Sequence, residues 1–118
     1  MMDGTVIRSF MKSKTRLTVL RTLFNAYPDE LYLSDIARHV FVDPSSASLA
    51  IKGGGKQGKG IRYSRELSLT GLGLVEERKT RGGVYYGIVP DRLADVNEIL
   101  LVARSFNLRE KNVEVVIE

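Results

Sequence analysis

Glycine is concentrated in one short stretch near the middle of the chain. Five of the eleven glycines fall within residues 53–60, which read Gly-Gly-Gly-Lys-Gln-Gly-Lys-Gly. Because glycine loses more backbone entropy on ordering than any other residue, no packed helix or strand is expected to continue through this run. The segment is therefore predicted to be a flexible loop that interrupts the regular elements on either side.

The length and composition predict one ordinary globular domain. With 118 residues, 43% of them hydrophobic, the chain is long enough to bury a core. Cysteine is absent and His39 is the single histidine, which argues against disulfides, zinc sites and catalysis by thiol or imidazole. No apolar run approaches the about 20 residues that span a bilayer. We expect a cytoplasmic protein without membrane contact, enzymatic activity, metal or other cofactor, and with no identifiable small-molecule effector.

Positive charge is concentrated in the same region as the glycines. The net charge is +4, and residues 44–65 contain no acidic residue. The basic residues of this stretch are Lys52, Lys56, Lys59, Arg62 and Arg65. A basic stretch of this kind favours contact with a polyanion, although a solvated surface is the simpler alternative.

The first half of the chain shows helical spacing. Apolar residues recur at helical intervals within residues 6–11 and 17–24, and Leu31–Leu33 is predicted to be a brief strand. A helix is expected from Asp35 to about Phe41, with Ser34 as its N-cap.

A further short helix is predicted for residues 44–52. Asp43 is suited to cap it and Pro44 to occupy its first position. Leucine spacing then predicts a helix from about Tyr63 to Leu72, stopped by glycines.

The second half ends in a hairpin and a long helix. Residues 74–79 and 84–89 are predicted strands joined by a turn that contains Gly82 and Gly83. A last helix, capped by Asp91, is expected to reach about Phe106. The alternation of apolar and acidic residues over 113–118 suggests an edge strand in the tail.

Three segments carry a resemblance to a known family. They are residues 33–37 (Leu-Ser-Asp-Ile-Ala), 43–48 (Asp-Pro-Ser-Ser-Ala-Ser) and 72–76 (Leu-Gly-Leu-Val-Glu), the last followed by a basic, glycine-bearing hairpin. In this order, residues 15–89 resemble the winged helix-turn-helix transcription regulators of the ArsR and MarR type, especially archaeal ones. The glycine-lysine loop departs from that pattern, because it separates residues 44–52 from residues 63–72 and leaves open which segment enters a DNA groove.

The resemblance implies an α+β fold, with a three-helix core, a β-hairpin wing and a C-terminal dimerisation helix. Residues 1–90 would form the DNA-binding domain and residues 91–118 the dimerisation element. The function implied is sequence-specific binding of double-stranded DNA by a homodimeric transcriptional regulator. The candidate DNA contacts are Ser45, Ser46, Ser48, Lys52, Lys56, Lys59, Arg62, Arg65, Lys79 and Arg81. The candidate dimer contacts are Leu93, Val96, Leu100 and Ala103.

The residue chemistry agrees with that expectation but leaves alternatives open. Small hydroxylated side chains suit the exposed start of a reading helix, and lysine and arginine supply affinity at phosphates. An RNA-binding or ribosome-associated winged helix would use the same basic loop without a symmetric dimer. A protein-interaction winged helix module would fit the last helix but leaves the basic loop unexplained. A phosphate-binding P-loop is discounted, because Gly60 occupies the position after Lys59 where a Ser or Thr must hold Mg²⁺.

Overall fold

The computed structural model describes residues 4–54 and 65–117, and it confirms the expected α+β class. Five α-helices and three strands make up this part of the chain, with a short 3-10 helix before the last α-helix. The order is α1 (Gly4–Met11), α2 (Lys14–Ala26), β1 (Leu31–Tyr32), α3 (Leu33–Val40), α4 (Pro44–Lys52), β2 (Val75–Thr80), β3 (Gly83–Ile88), the 3-10 helix (Pro90–Arg92) and α5 (Leu93–Ile117).

Helices α2, α3 and α4 pack against one another in pairs, and the sheet lies beside them. The sheet is antiparallel in the order β1-β3-β2, with Leu31 opposite Tyr86 and Val75 opposite Ile88. Helices α1 and α5 both contact α2. Fully buried side chains from every layer form one core; they include Leu20, Leu23, Ile36, Ile51, Leu69, Leu74 and Ile99.

The predicted helix over 63–72 is wrong for the part that the structure describes, because residues 65–73 form turns. Their backbone donors are used elsewhere. The N–H of Thr70 donates to the carbonyl of Ile51 at 2.9 Å, and the N–H of Leu69 donates to that of Ala50 at 3.4 Å. These are carbonyls at the end of α4, which have no partner inside that helix. The turn segment therefore completes α4 instead of forming a helix of its own.

The predicted helix caps are only partly confirmed. Pro44 occupies the first turn of α4 and Asp43 is its N-cap residue, but the Asp43 side chain accepts no hydrogen bond from the helix backbone. Helix α3 begins at Leu33, so Ser34 lies inside it and the prediction of Ser34 as the cap was wrong. Asp91 lies within the 3-10 helix, whose N-cap is Val89, so that prediction was also wrong.

Helix α5 is longer than expected. It runs from Leu93 to Ile117, so the predicted end near Phe106 and the predicted edge strand in the tail were both wrong. No glycine or proline follows residue 106, and residues 108–111 (Leu-Arg-Glu-Lys) favour helix, which explains the continuation. In the part of the chain that the structure describes, no helix is both long and apolar enough to cross a membrane.

A buried arginine joins the first two helices to the turn segment. Arg16 is 1% exposed, and its guanidinium donates to the carbonyl of Ser9 at 2.7 Å and to the carbonyl of Leu67. The group also lies 4.7 Å from the centre of the Phe10 ring. Burial lowers the pKa of Arg16. Since no acidic side chain pairs with it among the described residues, carbonyl oxygens and the aromatic ring supply its stabilisation.

We predict that Arg16→Ala destabilises the fold by about 3 kcal/mol, because it removes the donor that serves two carbonyls and leaves a void. The measurement is the free energy of unfolding in urea. Arg21→Ala is the control, since Arg21 is an exposed residue of the same helix and its loss should change stability by less than about 0.5 kcal/mol. Equal effects of the two substitutions would contradict a structural role for Arg16.

Candidate nucleic-acid interface

The serine-led start of α4 is turned toward its own cap residue. The hydroxyls of Ser45 and Ser46 each donate to a carboxylate oxygen of Asp43, at 2.5 Å in both cases. These two hydrogen bonds lower the pKa of Asp43. Ser45 is exposed, whereas Ser46 and Ser48 are half-buried. The exposed oxygens at this end of α4 therefore act mainly as hydrogen-bond acceptors.

The C-terminal end of α4 meets β2 through a carboxylate. The Nζ of Lys52 lies 3.0 Å from Oε2 of Glu77, and the Tyr86 hydroxyl donates to the same oxygen at 2.9 Å. The Nζ of Lys79 lies 3.8 Å from the other carboxylate oxygen. We call Lys52, Glu77, Lys79 and Tyr86 the Glu77 cluster. Two predicted DNA contacts, 27 positions apart in sequence, are thus brought together around one acid.

Within the Glu77 cluster, Glu77 and Tyr86 shift each other's pKa. The hydrogen bond from Lys52, and after it that from Tyr86, lowers the pKa of Glu77. Burial, together with the bond to Glu77, raises the pKa of Tyr86 to about 12. The tyrosine therefore remains a neutral donor at any physiological pH, and Glu77 remains charged. Part of the positive charge of both lysines is neutralised at this place.

The hairpin turn presents Arg81 at the tip of β2 and β3. Thr80 pairs with Gly83, so Arg81 and Gly82 form the two-residue connection, and Arg81 is exposed. The Thr80 hydroxyl accepts from the N–H of Gly82 at 3.2 Å and donates to the carbonyl of Gly83 at 3.0 Å. The turn therefore has a defined shape although its arginine side chain is free to reach outward.

Aromatic contacts join β1 to the hairpin. The rings of Tyr32 and Tyr85 lie 4.1 Å apart, and their hydroxyls hydrogen-bond at 2.5 Å. The Arg78 guanidinium lies 4.9 Å from the centre of the Tyr85 ring and donates to Glu30 at 2.8 Å. These contacts attach β1 to the two strands of the hairpin. They give Tyr32 and Tyr85 a structural role.

The remaining predicted contacts are only partly located. Arg65 is exposed, and its guanidinium approaches Gly54 so closely that a Cβ at that glycine would lie 2.9 Å from Nε. Gly54 has φ +88°, a conformation that favours glycine. This places Arg65 beside the end of α4. Lys56, Lys59 and Arg62 lie outside the described residues.

Glu77 is the important residue that the sequence analysis did not single out. Its pairing with Lys52 joins positions 25 apart, which no local pattern reports. The sequence did contain one indication. Glu76 and Glu77 are neighbours in a predicted strand, so their side chains must point to opposite faces of the sheet. Within the described residues, no three His, Cys, Asp or Glu side chains gather in a way that could hold a metal ion.

The chain was compared with known proteins. A family profile described as EarA-like matches residues 6–99. An uncharacterized protein of Methanocaldococcus jannaschii is 40% identical over 98 residues, which cover 83% of this chain and 83% of that protein. No solved structure matches. These findings give an archaeal relative, and they do not confirm the ArsR or MarR type suggested by the resemblance.

We predict that Glu77→Gln lowers the free energy of unfolding at neutral pH by about 1 kcal/mol, a modest loss because solvent screens the half-exposed Lys52. The pKa of Glu77 is lowered in the fold, so its contribution is present above the ordinary carboxyl pKa and is lost as pH falls through the lowered value. The difference in unfolding free energy between wild type and variant should therefore become smaller in acid. Unfolding titrations across acid and neutral pH measure it, with exposed Glu76→Gln as the matched control. A gap independent of pH would contradict this account.

Proposed function

We propose that this chain, which belongs to the EarA-like family, acts as a sequence-specific regulator of transcription that binds double-stranded DNA as a homodimer. The observation that carries the proposal is the Glu77 cluster, which brings the basic end of α4 beside the basic strand β2. A helix and a hairpin held side by side, both bearing exposed cations, suit contact with a groove and its flanking phosphates.

The finer fold assignment belongs to the same proposal. The packing of α2, α3 and α4 with a three-stranded antiparallel sheet is compatible with a winged helix-turn-helix, in which β2 and β3 form the wing. Because residues 65–73 form turns, α4 is the better candidate for the helix that enters the major groove. Arg81 at the hairpin tip would then reach phosphates or the minor groove.

The hydrogen bonds of Ser45 and Ser46 suggest which groups on the DNA bases α4 contacts. With their hydroxyl hydrogens donated to Asp43, Ser45 and Ser46 present lone pairs outward. In the major groove, the complementary donors are the amino groups of adenine and cytosine. We therefore expect the site contacted by this end of α4 to present such amino groups.

The DNA-binding proposal predicts that removing one acidic side chain strengthens DNA binding. Glu77→Gln should increase affinity for duplex DNA and steepen its salt dependence, because Lys52 and Lys79 lose the acid that neutralises them. If both then contact phosphates, the slope of log K against log salt grows by up to about 1.8. Gel shifts with genomic fragments selected by the wild-type protein measure this.

The control for that experiment is Glu76→Gln, which removes the same charge from the opposite face of the strand. Equal gains for the two variants would show a general charge effect and remove the Glu77 cluster from the interface. Parallel titrations with duplex and single-stranded RNA separate the alternative of an RNA-binding protein, which tighter binding to RNA would favour.

The predicted dimer contacts on α5 have to be replaced by other residues of that helix. Of the predicted dimer contacts, Val96 and Ala103 lie in the chain's own core, and Leu93 and Leu100 are partly buried against it. The apolar side chains that remain outward on the described part of α5 include Leu101, which is 55% exposed, and Val102, which is 39% exposed. We propose that these join two copies, because a palindromic operator requires a two-fold interface.

We predict that Leu101→Glu shifts a dimer toward monomer in analytical sedimentation by placing a charge in an apolar contact. Asn97→Glu is the control, since Asn97 is an exposed polar residue on the same helix and tolerates the added charge. The proposal fails if the wild-type protein is monomeric at the concentrations at which it binds DNA.

A further inference from the structure

A cavity of about 360 Å³ lies between the start of α2 and the middle of α4. One wall contains Lys12 and Lys14, which flank the junction of α1 and α2. The other wall contains Ser46 and the apolar Leu49 of α4. No residue of this cavity at the α1–α2 junction was singled out from the sequence. Among the described residues that line it, none is acidic.

The backbone adds to the positive character of this cavity. Ser13 is the N-cap of the 13-residue helix α2, and its side chain accepts from the N–H of Arg16 at 3.4 Å. The other N–H groups of the first turn have no acceptor inside the helix, and the helix dipole places partial positive charge there. Helix N-termini with free N–H groups bind phosphate and carboxylate groups in many proteins.

A second observation is independent of the helix end. Arg16 also lines the cavity and is 1% exposed. Its terminal nitrogens donate to the carbonyls of Ser9 and Leu67, but its Nε has no hydrogen-bond partner among the residues that the structure describes. None of the acidic side chains that the structure describes forms an ion pair with it. A buried cation without a counter-charge raises the affinity of its surroundings for an anion. On the α4 side, the lining residue Ser46 donates its hydroxyl to the carboxylate of Asp43.

We propose that this cavity binds a phosphate group through Lys12, Lys14 and the N-terminus of α2. The inference rests on the proposed function for the source of that phosphate, which we assign to the DNA backbone. Ser46 connects the cavity with the proposed DNA interface, because it belongs both to the cavity wall and to the candidate DNA contacts of α4. The cavity fixes the orientation of α4 on the duplex, since a phosphate contact positions a protein without reading sequence.

The test compares two double variants of equal charge. Lys12→Ala/Lys14→Ala removes the cavity lysines, and Arg8→Ala/Arg21→Ala removes exposed basic residues of α1 and α2 that are not among its lining residues. Loss of the cavity pair should weaken binding to selected duplex DNA at least about tenfold and lower the salt slope by about 0.9, the value for one phosphate, whereas the control pair should change each far less. Equal losses in the two variants would overturn the proposal.

Inorganic phosphate separates this inference from the proposed function. Titrated at constant ionic strength against chloride, it should shift the amide resonances of Lys14, Thr15 and Arg16 in the wild type and not in the cavity variant. If duplex DNA does not bind but phosphate gives saturating shifts, the proposed function fails and the site takes a free phosphate. If DNA binds and phosphate gives no shifts at these amides, the function stands and the cavity proposal is overturned.

Discussion

The end of α4 depends on hydrogen bonds from a segment that follows it by about twenty positions. Thr70 donates to the carbonyl of Ile51 twice, through its N–H at 2.9 Å and its hydroxyl at 3.1 Å. The carbonyl of Leu69 then accepts from Leu74 at 3.1 Å, and Val89 donates to the carbonyl of Leu74 at 3.0 Å. This series of bonds continues from the helix into the sheet. These bonds therefore help to hold α4 in position relative to β2 and β3.

Arg16 also holds the same turn segment. Its bond to the carbonyl of Leu67 comes two residues before the contact of Leu69 with α4. A guanidinium is expensive to bury, and here backbone carbonyls and the Phe10 ring offset that cost. Turns that lack regular structure are positioned by such contacts and not by local propensity. Helices α1, α2 and α4 are thus connected through one irregular segment.

The sequence predicts those parts of the fold that local physics decides. Helix α4 is preceded by Asp43 and begins at Pro44, and the two strands of the hairpin meet at a turn that contains Gly82, so each was found from its neighbours. A helix was predicted over 63–72 because the leucines suggested helical spacing, but in its described part the N–H groups of Leu69 and Thr70 donate to the end of α4. The tail was predicted as strand from alternation alone, but it forms the end of α5, which continues through residues 108–111 that favour helix. For the candidate site, single basic residues were identified, but the pairing of Lys52 with Glu77 was not.

The spatial charge pattern differs from the linear one in a way that bears on specificity. Residues 44–65 contain no acid, yet Lys52 lies against Glu77 once the chain is folded. In the proposed complex this acid weakens attraction to phosphates for every DNA sequence alike, because phosphate contacts carry no sequence information. Contacts between α4 and base edges then supply a larger share of the binding free energy that remains. In the proposed complex, Glu77 thus acts against indiscriminate binding, while its contacts with Lys52 and Tyr86 join the helix to the hairpin.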